Sequence, residues 1–179
     1  MACAEDARVT DLAGPSGAAI IAAFKAAKVE FVAALPDIWT SNGLLWPLSR
    51  DSELRLVRLS KEDEGVSICS GLAYAGRRSV LLMQYTGFLD SVNAIRGAAV
   101  EYNRPVCMVV GLLGKEADRE ASASAVYGVK LTVDVLAATG VDTVFIEEPD
   151  DVGHLAPAIE RAYATSRPLV ALVGRRVEA

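Results

Sequence analysis

Apolar positions along this chain fall into two kinds of segment that alternate. One kind is short and almost wholly apolar: residues 31–35, 79–83, 105–110 and 168–173. Runs of this length and composition predict strands buried on both faces of a parallel sheet. Residues 54–59 alternate apolar with basic side chains, as a less buried strand would, and 143–146 add a further short strand. Between the strands lie longer segments with helical spacing, at residues 14–28, 61–74, 88–102, 128–139 and 150–165. The first of these is rich in alanine and has Ser16 as a cap. Residues 38–48 predict a short helix broken near Pro47, whereas 112–127, polar and rich in Ala and Ser, predict no element. Strands alternating with helices in this way define an α/β class: a parallel sheet of about six strands with helices on both faces.

Composition narrows the picture. A chain of 179 residues, 52% of them hydrophobic, has material for one sizeable core. A single domain over residues 1–179 is expected, with about 1–12 as a flexible N-terminus. The net charge of −5 and the absence of any basic run longer than Arg77-Arg78 or Arg175-Arg176 argue against a nucleic-acid partner. Cys3, Cys69 and Cys107 show neither metal-ligand spacing nor a disulfide framework, and read as small core residues in a reducing compartment. Residues 1–9 have no apolar stretch of signal-peptide length, and no apolar run reaches membrane-spanning length. A cytoplasmic protein with no membrane partner is expected.

In an open parallel sheet, ligands bind beyond the carboxyl ends of the strands. Five groups follow strands here: Asp37, Glu62, Gln84 with Thr86 and Gly87, Gly111, and Glu147 with Glu148. All are expected to line one edge. Glu62 falls in the first turn of a helix, with Ser60 and Asp63 spaced as a capping box. Glu62, Asp63 and Glu64 also suit a helix start simply by complementing its dipole. Two glycines in the same helix, Gly65 and Gly71, each cost about 1 kcal/mol relative to alanine, so close approach is expected at both. Gly65 and Cys69 share the face of Glu62, where small side chains could admit a flat ligand or another helix. Asp37 reads equally as a Pro-Asp turn or as a substrate contact. Thr86-Gly87 reads as a turn with a positive-φ glycine or as a binding loop, and its place beside Glu62 favours the loop. Glu147 and Glu148 read as acids at a helix start.

Glu62 followed nine positions later by Gly71, with small residues between, resembles the pyrimidine-binding domain of thiamine-diphosphate enzymes. The segments 61–66, 80–84, Thr86-Gly87, 91–95 and 105–111 resemble the sulfopyruvate and phosphonopyruvate decarboxylase group in order and spacing, specifically the alpha subunit of the split sulfopyruvate enzyme. The resemblance implies that Glu62 is catalytic, bonding N1′ of the cofactor's aminopyrimidine in a partly dry pocket and favouring the tautomer that activates the thiazolium. It implies cofactor contacts from Glu62, Gln84, Thr86 and Gly87, decarboxylation of a 2-oxo acid to an aldehyde, and the cofactor carrying the hard chemistry. The family grips the diphosphate through a divalent metal in a domain marked by Gly-Asp-Gly, and no Gly-Asp-Gly occurs in this chain. Mg2+ and the diphosphate site are therefore expected on a beta subunit, in a hetero-oligomer of alpha and beta chains, with the helices from residues 61 and 88 as contact surfaces.

The chain departs from the group at Tyr85-Thr86-Gly87 and Phe88-Leu89-Asp90, a bulkier loop that suggests phosphonopyruvate, a larger 2-oxo acid or carboligation as alternatives. His154, the only histidine, is read as a solvated helix residue, and Arg96 and Arg104 as surface charges as readily as an anion clamp. A non-catalytic α/β module that binds a partner is the remaining alternative.

Overall fold

A computed structural model describes residues 13–179, and in it six segments pair as strands: β1 (Phe31–Ala34), β2 (Arg55–Arg58), β3 (Ser79–Gln84), β4 (Cys107–Gly111), β5 (Asp142–Ile146) and β6 (Leu169–Val173). The first twelve residues, with Cys3 and the expected flexible terminus, lie outside the described region. Every pairing is parallel, and the strand order is β2-β1-β3-β4-β6-β5. The almost wholly apolar runs became the buried interior strands β3, β4 and β6, whereas the alternating β2 became a half-exposed edge. Strand β5 is the other edge and is also only partly buried.

Because side chains alternate along a strand, the sheet feeds two separate cores. Val32, Val80, Leu82, Val109, Ala171 and Val173 project to one face, where α1 (Gly17–Ala26) contributes Ile20 and Phe24 and α7 (Leu155–Thr165) contributes Ile159 and Ala162. Ala33, Leu81, Met83, Met108, Val110 and Leu172 project to the other. There they meet Val66 and Cys69 of α3 (Glu62–Tyr74), Phe88 of α4 (Tyr85–Asp90), and Val129 and Leu136 of α6 (Tyr127–Thr139). The result is the three-layer α/β domain that the pattern predicts, in the form of a pyrimidine-binding fold.

Several expectations are corrected. No capping box forms at Ser60: Lys61 is the N-cap of α3, and the Ser60 N–H donates to Glu64 Oε2 at 3.0 Å in place of Asp63. The helix expected over 88–102 starts earlier, at Tyr85, directly after β3. It is interrupted at Ser91, resumes as α5 (Val92–Ala94), and widens into a π-helical stretch at Ile95–Val100. The region before Pro47 likewise winds as a π-helical stretch, Ser41–Leu45, before the short α2 (Trp46–Leu48). Gly65 does need close approach, since a Cβ there would sit 2.5 Å from methyls of Leu59 and Leu81. The face beneath Glu62 is thus filled by the protein's own core. Gly71 has open space where its Cβ would be, so nothing within the described residues requires a glycine there.

Candidate active-site cleft

From β1 the chain passes outward to β2, and from β3 it passes the opposite way to β4. The order of the sheet therefore reverses between the neighbours β1 and β3. At such a reversal the loops beyond the carboxyl ends part, leaving a crevice. A cleft of about 220 Å³ lies there, lined by Leu35, Pro36, Asp37, Ile38, Glu62, Gln84 and Thr86. The carboxyl ends of β1, β2 and β3 each supply part of it.

Glu62 is the first residue of α3 and is half-buried. Among the described residues its carboxylate receives no hydrogen bond and makes no ion pair. Its neighbours differ in this respect: Glu64 accepts from Ser60, and Asp63 lies 3.4 Å from Lys61 Nζ. Gly87 packs directly on Glu62, and a Cβ there would lie 2.3 Å from Glu62 Cγ and 2.4 Å from Oε1. Gly87 is helical, and the positive-φ glycines of the described residues are Gly76, Gly114 and Gly140. Its requirement is therefore room for Glu62, and the expected loop is the first turn of α4. Thr86, in the same turn, donates from Oγ1 to Gln84 Oε1 at 2.9 Å.

Asp37 lines the cleft, yet both of its carboxylate oxygens are engaged. Oδ1 accepts from the N–H groups of Trp39 at 2.5 Å and Thr40 at 2.7 Å, and Oδ2 accepts from Thr40 Oγ1 at 2.6 Å. These bonds stop β1 and start the turn of residues 38–45, an Asx-type arrangement. Beside it Ile38 is 69% exposed at the cleft mouth, an apolar wall that sequence patterning did not single out.

The remaining groups at this edge do not join the cleft. Trp39 covers Gly111, where a Cβ would come within 3.2 Å of Trp39 Cβ. Glu148 caps the 3-10 turn Pro149–His154 in a capping box with Asp151, in line with its reading as a helix-start acid. Glu147 has another partner: Lys115, in the segment for which no element was predicted, has a fully buried side chain whose Nζ lies 3.0 Å from Glu147 Oε1. No periodic signal marks that lysine. Its burial depends on a carboxylate beyond a different strand. Tyr85 turns away from the cleft to pack on Gly128, where a Cβ would meet its ring at 2.3 Å, and Phe88 is buried in the core. The aromatic departures at 85 and 88 therefore do not line the cleft.

His154 is exposed, at the β5 end of the sheet. Arg96 pairs with Glu101, and Arg104 lies 5.0 Å from the Tyr74 ring centroid, so both act as local surface charges. Burial pushes the Cys69 thiol up to about 11 and Cys107 higher still, so both are inert core residues. Among the described residues no three His, Cys, Asp or Glu side chains gather as a metal site, and no helix is long and apolar enough to cross a membrane.

Fold and cleft together define an α/β parallel-sheet domain with an unpaired carboxylate at its switch point. No protein-family model matches the chain. Among curated proteins the chain is 30% identical over 86 residues to sulfopyruvate decarboxylase subunit alpha of Methanococcus maripaludis, covering 48% of this chain and 51% of that one. It is 28% identical over 158 residues to sulfopyruvate decarboxylase of Methanosarcina acetivorans, covering 88% of this chain and 40% of that one. With the alpha subunit of Methanothermobacter thermautotrophicus it shares 28% identity over 103 residues, 58% of this chain and 62% of that one. The chain thus resembles the alpha subunit of sulfopyruvate decarboxylase, and it spans about half the length of the curated relatives it matches.

Proposed function

We propose that this chain is the pyrimidine-binding subunit of a two-chain thiamine-diphosphate-dependent 2-oxo acid decarboxylase, with sulfopyruvate as the first substrate to test. The observation that carries the reading is Glu62: a half-buried carboxylate without a protein partner among the described residues, at the switch-point cleft, over a glycine that leaves it room. The donor set fits one polar heteroaromatic ring. Glu62 would accept from or share a proton with a ring nitrogen, while Gln84 and Thr86 offer amide and hydroxyl groups at the cleft wall. Leu35, Pro36 and Ile38 give that ring an apolar wall.

When bound, the cofactor would supply the electron sink that lets carbon dioxide leave a 2-oxo acid. The chain's own contribution is narrower. Gly87 fixes where the Glu62 carboxyl can lie, Glu62 holds or releases one proton at its Oε atoms, and Ile38 screens the mouth from water. Asp37 would meet the substrate from the turn it caps. A cleft of about 220 Å³ accommodates a ring rather than a whole cofactor, which supports a second polypeptide completing the site and holding the diphosphate through Mg2+. In the Methanosarcina relative, the match leaves 60% of that protein outside it, a further support for a missing half.

The test is co-purification with a candidate beta chain carrying Gly-Asp-Gly, followed by carbon dioxide release from sulfopyruvate, phosphonopyruvate and larger 2-oxo acids. Release that requires both chains, thiamine diphosphate and Mg2+ is the expected result. A complex that assembles but releases nothing from any 2-oxo acid would favour a non-catalytic partner-binding role.

A further inference from the structure

The two edges of the sheet are protected differently. In β5 the carbonyl of Ile146 accepts from the Gly174 N–H at 3.0 Å, so Asp142, Val144 and Ile146 turn their backbone groups toward β6. Thr143 and Phe145 therefore turn theirs outward. Both ends of that outer row are occupied: Val141 O accepts from Thr143 Oγ1 at 3.1 Å, and the Glu147 N–H donates to Asp151 Oδ2 at 2.9 Å. Between them, the N–H and C=O groups of Thr143 and Phe145 have no partner among the described residues. Such groups are a template for pairing with another strand, and proteins usually blunt them with proline or charge. Residues 143–146 contain neither, and the Phe145 side chain is 42% exposed.

Strand β2 is the contrast. The Arg55 N–H donates to Glu30 O and the Leu59 N–H to Ala34 O, both on the β1 side, so Leu56 and Arg58 face outward. Two copies of β2 paired antiparallel about Val57 would bring Arg58 diagonally against its own copy, and like charges across strands are destabilising. The same operation on β5 brings Phe145 diagonally against Phe145, at about 7–8 Å, within reach of aromatic rings.

We propose that β5 is an interface with a second copy of this chain, the two strands pairing antiparallel about a two-fold axis at Val144. In that register Thr143 and the partner's Phe145 exchange both backbone bonds, and Phe145 and the partner's Thr143 do the same, so every free group is matched. Shifted by two residues either way, the pairing would call on Val141 O or the Glu147 N–H, which are already taken. Asp142 falls opposite Ile146 and Glu147 opposite Val141, so no like charges meet. The contact is isologous and closes on itself, joining two six-stranded sheets into one. A few backbone bonds and one aromatic pair make a weak dimer that depends on concentration. The Glu62 cleft, between β1 and β3, lies beyond β4 and β6 and stays open, so the inference stands whether or not the chain is a decarboxylase subunit.

Sedimentation equilibrium of the full 179-residue chain over about a hundredfold range of concentration measures the association. A reversible dimer is expected. Thr143→Pro deletes an outward N–H that the monomer does not use, and is expected to weaken the dimer about tenfold or more. Phe145→Lys, which sets two cations across the axis, is expected to weaken it similarly while the melting temperature stays near wild type. Cross-linking reads the register, in a Cys3→Ser background where Cys69 and Cys107 are buried. Val144→Cys is expected to form a disulfide dimer readily, because a pair of this kind has its Cα atoms about 4.5 Å apart. Phe145→Cys, at the diagonal spacing, is expected to cross-link poorly. The proposal is overturned if the chain is monomeric at every concentration, even if β5 captures a foreign peptide strand. It is equally overturned if the dimer keeps its strength in Phe145→Lys, or if Phe145→Cys cross-links more readily than Val144→Cys.

Discussion

Gly87 and Glu62 are in direct contact: a methyl group on Gly87 would overlap the Glu62 side chain, at 2.4 Å from Cδ and from Oε1. The obstructing atoms belong to a flexible side chain, so Glu62 can move aside. Gly87 is also helical, where alanine is worth about 1 kcal/mol more than glycine. Gly87→Ala is therefore expected to leave the melting temperature unchanged or slightly raised while lowering turnover of the assembled enzyme at least tenfold. A variant that melts early would place the glycine's role in folding instead.

Glu62→Gln keeps the shape of the side chain and removes its charge. Turnover is expected to fall by about 10²–10⁴, the usual contribution of a positioned acid or base, with assembly intact. Glu64→Gln, which alters only an exposed bond to the Ser60 N–H, is expected to change little. Equal losses in the two variants, measured as carbon dioxide release, would mean that the wrong carboxylate had been chosen.

Lys115 and Glu147 form an asymmetric pair, with side chains 0% and 23% exposed. Removing the carboxylate strands a cation that water cannot reach, whereas removing the cation leaves an anion that water partly can. Glu147→Gln is expected to cost about 3 kcal/mol in urea unfolding, and Lys115→Met distinctly less. The opposite ranking would count against the buried position of the lysine.

Acid sensitivity follows from Asp151. Burial there favours the neutral acid, but the backbone N–H groups of Glu148 and Glu147, with His154 and Arg175 nearby, outweigh it and hold the carboxyl below its ordinary 3.8. A depressed value in the folded state contributes stability that is fully present above 3.8 and is lost as pH falls through the lower, folded value. Asp151→Asn should therefore be less stable than wild type near neutrality, with the gap closing as pH drops below 3.8. Chemical unfolding at a series of pH values measures this. A gap that stays constant would exclude the linkage.

The strands were legible because burial on both faces leaves a plain apolar run, as in 79–83 and 168–173, and because exposure on one face leaves alternation, as in 54–59. The cleft was legible through topology: once Asp37, Glu62, Gln84 and Thr86 are placed after successive parallel strands, they must share an edge. What the local pattern concealed depends on distant partners. Thr86 and Gly87 have loop composition, yet β3 runs into α4 without a loop because Phe88 must reach the core. The packing of Trp39 on Gly111, and the burial of Lys115 against Glu147, arise only when separate loops meet in space. Gly71 looked costly enough to demand a neighbour, and the described residues supply none.

Trp39 rests on Gly111 and lines a second, larger cavity, whereas the residues just before it, Leu35, Pro36, Asp37 and Ile38, line the smaller one. Asp37 Oδ1 accepts from the Trp39 N–H, so the residue that walls the smaller cavity also anchors the backbone of the one that walls the larger.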